Sequence, residues 1–339
     1  MRLPSLAVSL CFAFFWLSVF QVSTAEAKLL AGAARQSIVP PFPTNMGGFH
    51  DRMQSFTGVH DEIFARALVL DNDGMQLVII GSDLMSVDAE LIALAREGIT
   101  AATKIPASNI LICCTHDHSA PSYYQKKKPG EQDEEPSLKK FLAKQFLAAA
   151  VEAHAHLQPC RVGFKAGELR GATRNRQQKN DDVIDPQVGV LRVEALEGRK
   201  TIATLCSFTG HPVIIGSNNL ELSGEFPGAA CRAIEGLLGG VAIYLQGACG
   251  DITVNRNGDP FMEIERLGRT IAGEVIKTSG LITLQDSIEL QAASQTITLV
   301  ARPLVSLSDA EQALKGGQAI LADAEKTGCL RDRAGRPER

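Results

Sequence analysis

Apolar and polar positions along the chain follow two periods, one typical of strands and one typical of helices. Short apolar runs bounded by turn residues predict strands over residues 36–39, 63–70, 76–81, 109–114, 161–165, 188–193, 201–208, 241–245 and 288–300. Apolar residues three or four apart predict helices over residues 86–102, 137–156, 227–238, 261–277 and 308–326. Because strands and helices alternate, we expect an α/β fold with a central mixed β-sheet flanked by helices in layers.

Individual residues mark where several of these elements turn or begin. Residues 71–74 read Asp-Asn-Asp-Gly, which predicts a tight hairpin between the strands on either side. Ser86 or Asp88 is the expected N-cap of the first helix, because a side-chain oxygen there accepts from an early backbone N–H. Pro227 is expected in the first turn of its helix.

The N-terminus has the pattern of a secretory signal. Arg2 precedes an almost unbroken apolar run over residues 6–22, and Ala25-Glu26-Ala27 fits a cleavage site. We expect residues 1–27 to be removed and the mature protein to be secreted or periplasmic. The alternative is an uncleaved N-terminal anchor.

Composition excludes some classes of function. The formal net charge of −4 provides no basic field, so no nucleic-acid partner is expected. The chain has eight cysteines but no CxxC pair, which argues against a zinc ribbon or a dithiol redox motif. A GxSxG elbow, a P-loop and a GxGxxG run are also absent from the sequence.

Three polar runs follow predicted strands, at residues 116–118, 210–212 and 250–251. Loops at strand ends form the sites of α/β folds, so these runs predict an active site. His116 and His118 would face the same side of an extended segment, and imidazole is a common zinc ligand. The alternative for His116 and His118, and for His211, is a structural histidine. Asp251 either caps a turn or presents a catalytic carboxylate.

Eight runs of this sequence, in order between residues 31 and 277, resemble the N-terminal catalytic domain of the neutral, non-lysosomal ceramidase family. The Thr-His-Asp-His-Ser-Ala-Pro run at 115–121, for example, is similar to the family's Thr-His-Thr-His-Ser-Gly-Pro. The eight runs are residues 31–41, 46–49, 61–67, 115–121, 175–176, 211–213, 223–228 and 250–255.

The resemblance implies a zinc hydrolase that cleaves the N-acyl amide bond of ceramide, a lipid substrate that would bring the protein into peripheral contact with membranes. By position, His116 and His211 would be the zinc ligands. His118 would orient a ligand or the substrate, and Arg176 would face the scissile carbonyl or its oxyanion. Thr253 would take the place of the family's active-site serine.

Two departures from the family pattern limit this expectation. Thr253 keeps the hydroxyl of the family's serine but adds a methyl group. The family's remaining zinc ligands, a Glu and a Tyr, are expected beyond residue 339, with Glu225 or Asp251 as substitutes within the chain. We expect residues 28–280 to form the ceramidase-like catalytic domain and residues 281–339 to be an incomplete part of it. The alternatives are a related hydrolase acting on another amide or ester, and a truncated homologue without catalysis.

Overall fold

The computed structural model describes residues 29–52, 54–123, 135–178, 183–301 and 303–326, so the predicted signal at 1–27 lies outside the described residues. The strands are β1 (Leu29–Ser37), β2 (Gly58–Val59), β3 (Phe64–Asn72), β4 (Met75–Ser82), β5 (Ile110–Cys114), β6 (Gln158–Glu168), β7 (Thr173–Asn175), β8 (Gln187–Ala195), β9 (Thr201–Phe208), β10 (Glu221–Leu222), β11 (Val241–Gln246) and β12 (Ile252–Val254). The helices are α1 (Ala89–Thr103), α2 (Glu135–Ala155), α3 (Glu225–Leu238), α4 (Pro260–Ser279) and α5 (Leu307–Lys326).

Eight strands form one sheet in the order β11-β9-β8-β6-β1-β3-β4-β5. The pairs β4–β5 and β11–β9 are parallel, and the other pairs in this sheet are antiparallel. The two halves of the sheet are joined by only two residue pairs between β1 and β6, Leu30 with Pro159 and Ala31 with Gln158. The α/β class and the mixed sheet predicted from the sequence are confirmed.

The sheet folds at this junction so that its two halves stack face to face. Strand β11 contacts β1, β3, β4 and β5 across the stack, and one apolar cluster fills the space between the halves. The close approach needs Gly81, where a Cβ would lie 2.8 Å from Cγ2 of Ile243. A second cluster buries α1 and α2 against one half, and a third buries α3 and α4 against the other. The result is a helix–sheet–sheet–helix sandwich.

The turn and cap residues act as the sequence predicts. Asp73 and Gly74 have positive φ values of 55° and 87°, as a two-residue hairpin turn requires. The backbone N–H of Gly74 also donates to Asp71 at 2.9 Å. Asp88, rather than Ser86, is the N-cap of α1, because its carboxylate accepts from the N–H of Leu91 at 2.8 Å.

Three predictions of secondary structure were wrong. Strand β1 begins at Leu29, well before the predicted residue 36. Its first part was not predicted because its small residues give no clear apolar pattern. Gly32 allows the strand to touch α2, since a Cβ there would lie 2.1 Å from the Ala153 carbonyl oxygen. Residues 288–300 alternate like a strand but form no strand, because alternation without a pairing neighbour leaves the backbone unbonded. The short strands β7 and β12, which pair with each other, were not predicted.

The chain divides into two compact units at the boundary between Ala293 and Ser294. The first contains the sandwich. The second contains α5, whose apolar residues Leu314, Ile320 and Leu321 are exposed. The assignment of residues 281–339 to the same domain as the sandwich stays a prediction. Within the described ranges, we find no helix with the length and apolarity needed to cross a membrane.

Candidate metal centre

The loops after β5, β9 and β11 meet at one end of the two stacked half-sheets. Gln246, the last residue of β11, connects all three loops. Its side-chain amide donates to the carbonyl oxygens of Thr115 at 2.8 Å and Gly210 at 2.7 Å, and its amide oxygen accepts from the N–H of Gly247 at 3.2 Å. The three polar runs predicted at strand ends therefore lie together at one end of the fold.

Two of these loops, after β5 and β9, bring His116, His118 and His211 together. The Nε2 atom of His118 lies 3.0 Å from Nε2 of His211 and 3.4 Å from Nε2 of His116. One ring nitrogen from each histidine falls within 4.8 Å of the others, and no further Asp, Glu or Cys in the described part of the chain joins the group. The predicted substitutes Glu225 and Asp251 therefore lie outside the cluster, which could bind a metal.

The outward nitrogens distinguish the three histidines. Nδ1 of His116 lies 2.9 Å from the Met85 carbonyl oxygen, and Nδ1 of His211 lies 3.1 Å from that of Cys249. A proton on each Nδ1 makes both contacts donors and leaves a lone pair on Nε2, which is the arrangement typical of metal-binding histidines. Nδ1 of His118 is buried and has no partner among the described residues. The donor set fits a metal held by His116 and His211, with His118 beside it.

His116 adopts a backbone conformation that is rare for its residue type. Its φ is +66°, in the left-handed region that favours glycine. Such conformations persist where the surroundings fix them, and they concentrate at functional sites. Here the left-handed turn directs the ring toward His118 and His211 while its Nδ1 reaches back to Met85.

Burial keeps two of the three rings neutral. It lowers the pKa of His118 to about 3, with further lowering from the neighbouring His211 and His116. Burial also lowers the pKa of His211 to about 4, against a smaller opposing effect of its hydrogen bond with Cys249. Neutral imidazole is the form that binds metal. These two rings are therefore uncharged and ready to bind at neutral pH.

Arg176, which directly follows β7, also contacts His211. Its Nη2 donates to the Gly250 carbonyl oxygen at 2.8 Å and lies 2.5 Å from Nδ1 of His211. A neutral His211 cannot donate from Nδ1 to Cys249 and also accept there from Arg176. Only the tautomer that donates to Cys249 leaves the Nε2 lone pair free, so metal binding through Nε2 requires that Arg176 does not donate to Nδ1.

Asp251 and Thr253 lie beside this arginine and His211. The backbone N–H of Arg176 donates to the Asp251 carbonyl oxygen at 2.7 Å, and the Asp251 carboxylate accepts from the side chain of Asn175 at 2.9 Å. Thr253 is paired with His211 through a parallel backbone bridge. The structure thus places both residues at the site, whereas their catalytic roles stay predictions.

Two buried carboxyl groups adjoin the histidine loops. Burial raises the pKa of Asp117 well above its ordinary value, and nearby Glu225 raises it further. Burial raises the pKa of Glu225 to about 7, opposed by the backbone N–H groups of Ile215 and Ile214. In each group one carboxyl oxygen has no partner among the described residues. The sequence pointed to Glu225 only as a substitute metal ligand and gave Asp117 no role of its own, because burial rather than residue type makes the two carboxyls unusual.

Comparisons with known proteins identify a matching family. A family model described as neutral/alkaline non-lysosomal ceramidase, N-terminal, matches residues 30–263. A neutral ceramidase from Pseudomonas aeruginosa is 27% identical, over 63% of this chain and 35% of that protein. A neutral ceramidase from Mycobacterium tuberculosis is 24% identical, over 63% of this chain and 38% of that protein.

A solved structure shows the same fold. The crystal structure of neutral ceramidase from Pseudomonas aeruginosa matches with a TM-score of 0.67 and 22% identity, over 75% of this chain and 45% of that one. The chain thus spans between a third and a half of the length of these relatives. The resemblance found in the sequence is confirmed, and the chain belongs to the neutral/alkaline non-lysosomal ceramidase family, whose N-terminal region it matches.

Proposed function

We propose that this protein is a zinc-dependent hydrolase that cleaves the N-acyl amide bond of ceramide or a ceramide-like lipid. The observation that carries the proposal is the convergence of three imidazole nitrogens where three strand-end loops meet. The family membership and the names of the relatives support ceramide as the substrate. The expected export from the cytoplasm is part of the same proposal.

His116 and His211 would hold the metal, because each has a backbone carbonyl that fixes its Nδ1 proton. When bound, zinc supplies a Lewis acid and lowers the pKa of water toward about 7. Catalytic zinc usually has three protein ligands. Among the described residues, only His118 joins these two ligands in the cluster.

The remaining side chains would act on the substrate amide. His118 presents its Nε2 beside the two ligand nitrogens, where a proton on it would donate to a substrate oxygen. Arg176 carries a fixed positive charge at the rim of the cluster, so it would stabilise negative charge that develops on the amide oxygen. Thr253 would contribute its hydroxyl, and the carboxylate of Asp251 would hold the Arg176 loop through Asn175.

Fatty acid release from an N-acylsphingosine in detergent micelles, with zinc added, tests the proposal. His116→Ala should lower the rate by at least about 100-fold, since zinc contributes several kcal/mol to transition-state stabilisation. His156→Ala is the matched control, because His156 is exposed just beyond α2, and it should retain the parent rate. Equal rates for the parent and His116→Ala would refute the proposal, as would a parent without activity. An ester of the same fatty acid, assayed in parallel, tests the alternative of another acyl substrate.

A further inference from the structure

The ring of His118 is enclosed by residues 46–52, a loop between β1 and β2. The edge of Phe49 packs on the imidazole with ring centroids 5.3 Å apart and planes inclined by 72°. Gly48 covers the Nδ1 side of the ring, where a Cβ would lie only 2.1 Å from Nδ1. Gly48 also has φ +95°, so both its missing side chain and its backbone conformation are needed for this contact.

Arg52 fastens this loop to its surroundings from a buried position. One guanidinium nitrogen, Nη2, donates to the carbonyl oxygens of both Gly47 and His118. The other, Nη1, donates to the Asn219 carbonyl oxygen at 3.2 Å. The guanidinium also lies over the face of Phe49, 5.0 Å from the ring centroid. Arg52 thereby ties three separate segments together around His118.

The enclosure also determines where the neutral ring carries its proton. A proton on Nδ1 of His118 would be a buried donor facing Gly48, with no acceptor among the described residues. In the chain without metal, a proton on Nε2 faces the Nε2 atoms of His211 at 3.0 Å and of His116 at 3.4 Å, and Nε2 of His116 can accept because Nδ1 of His116 donates to Met85. Because an unsatisfied buried N–H is costly, the second arrangement is the stable one.

We propose that residues 46–52 form a clamp on His118 and that Arg52 is its positioning residue, so that the clamp holds the ring with Nε2 beside His116 and His211. The proposal rests on the proposed function, in which His118 donates a hydrogen bond to the substrate. Arg52 acts only through His118 and the loop, so it need not touch the substrate. A lysine at position 52 could not replace it, because an ammonium group lacks the planar fork that reaches Gly47, His118 and Asn219 at once.

Histidine side-chain NMR on the full chain, labelled with ¹⁵N-histidine and without metal, tests the clamp. The chain has seven histidines, and His118→Gln identifies the His118 signals. We expect His118 to be protonated at Nε2 in the parent and to become a mixture of tautomers in Arg52→Met, while His116 stays protonated at Nδ1, where it donates to Met85. The matched control is Arg96→Met, because Arg96 also donates twice to a backbone carbonyl, that of Ile110, but does not contact the histidines in these bonds.

Kinetics on the zinc-loaded chain provide the second measurement. Loss of positioning should lower kcat about 10- to 100-fold in Arg52→Met while KM stays within about 2-fold, because the substrate still binds but the donor is misplaced. Phe49→Leu removes the ring contact without the hydrogen bonds, and it should also produce mixed tautomers of His118. If Arg52→Met does not unfold cooperatively, the NMR measurement on Phe49→Leu alone tests the clamp.

The outcomes separate the clamp from the proposed function. A parent chain with His118 protonated on Nδ1 would overturn the clamp, as would a pure Nε2–H signal for His118 in every folded variant. The NMR result needs neither zinc nor ceramide. A chain that does not hydrolyse ceramide but shows the expected tautomers would therefore contradict the proposed function and leave the clamp standing.

Discussion

At the scale of single residues, a buried ion pair lies near the candidate metal centre. Nη1 of Arg66 on β3 lies 2.6 Å from the Asp83 carboxylate, and both side chains are almost fully buried. That carboxylate also accepts from the backbone N–H of Phe64 at 2.9 Å. The pair fixes the start of the segment 83–88, which includes Met85, whose carbonyl oxygen receives Nδ1 of His116. Loss of either partner of the Arg66–Asp83 pair should be strongly destabilising, because water cannot reach the buried charge that remains.

Arg66→Met should therefore lower the free energy of unfolding by about 3–5 kcal/mol, since it leaves the Asp83 charge buried and unpaired. Arg170→Met removes an exposed pair with Glu168 and should cost no more than about 1 kcal/mol. Urea unfolding at neutral pH measures both changes. If both variants lost a similar amount of unfolding free energy, the buried pair would be no more important to stability than the exposed pair.

Glu225 predicts a dependence of stability on pH. Its pKa in the folded protein is about 7, above its ordinary value of 4.5, so the folded form binds more protons than the unfolded form between these values. Stability from this group therefore falls as pH rises through that window. His118 and His211 act in the opposite direction, because their pKa values are lowered, so the comparison must be with a Glu225 variant rather than with the parent at another pH.

Glu225→Gln keeps the acceptor for Ile215 and imitates the protonated carboxyl. The free energy of unfolding of the variant, minus that of the zinc-free parent, should increase by on the order of 3 kcal/mol as the pH rises from about 4.5 to about 7. Urea unfolding of both proteins at the two pH values measures the difference. A constant difference across the window would show that Glu225 titrates normally.

At the scale of elements, the sequence predicted those strands and helices whose apolar pattern is strong. Residues 63–70 and 76–81, with the hairpin between them, correspond to β3 and β4. Most of strand β1 was not predicted, because its Ala and Gly residues suit close packing on α2 but have low β propensity. His116 and His211 of the candidate site could be named from the sequence, because imidazole is a residue type that binds metals. The carbonyl oxygens of Met85 and Cys249 could not be identified from the sequence, because every residue has a backbone carbonyl and residue type does not mark the ones that accept.

The packing of β1 on α2 makes a prediction of its own. Gly32→Ala would place a Cβ 2.1 Å from the Ala153 carbonyl oxygen, so the strand and helix must separate. We expect a loss of about 1–3 kcal/mol in the free energy of unfolding. Gly236→Ala is the control, since a Cβ at this position of α3 would meet no described neighbour within 4 Å, and it should gain about 0.5–1 kcal/mol. A Gly32→Ala protein as stable as the parent would contradict the close contact.

At the scale of the whole molecule, folding the sheet on itself is what assembles the site. His116 follows β5, at one edge of the sheet, and His211 follows β9, next to the opposite edge strand. Stacking of the two half-sheets brings these distant strand ends together, which no periodicity in the sequence reveals. The sandwich thus brings together two histidines that lie nearly a hundred positions apart in the chain. The metal centre should accordingly depend on the integrity of both halves.

Zinc titration of the purified chain, by competition with a chromophoric chelator, tests the metal centre most directly. The parent and His156→Ala should bind about one zinc per chain, whereas His116→Ala and His211→Ala should lose that binding, because each removes a ligand. His118→Ala should still bind zinc, with affinity reduced about 10- to 100-fold, as expected for a residue that supports the ligands. Less than about half an equivalent of zinc in the parent, or undiminished binding in His116→Ala and His211→Ala, would contradict the proposed metal centre.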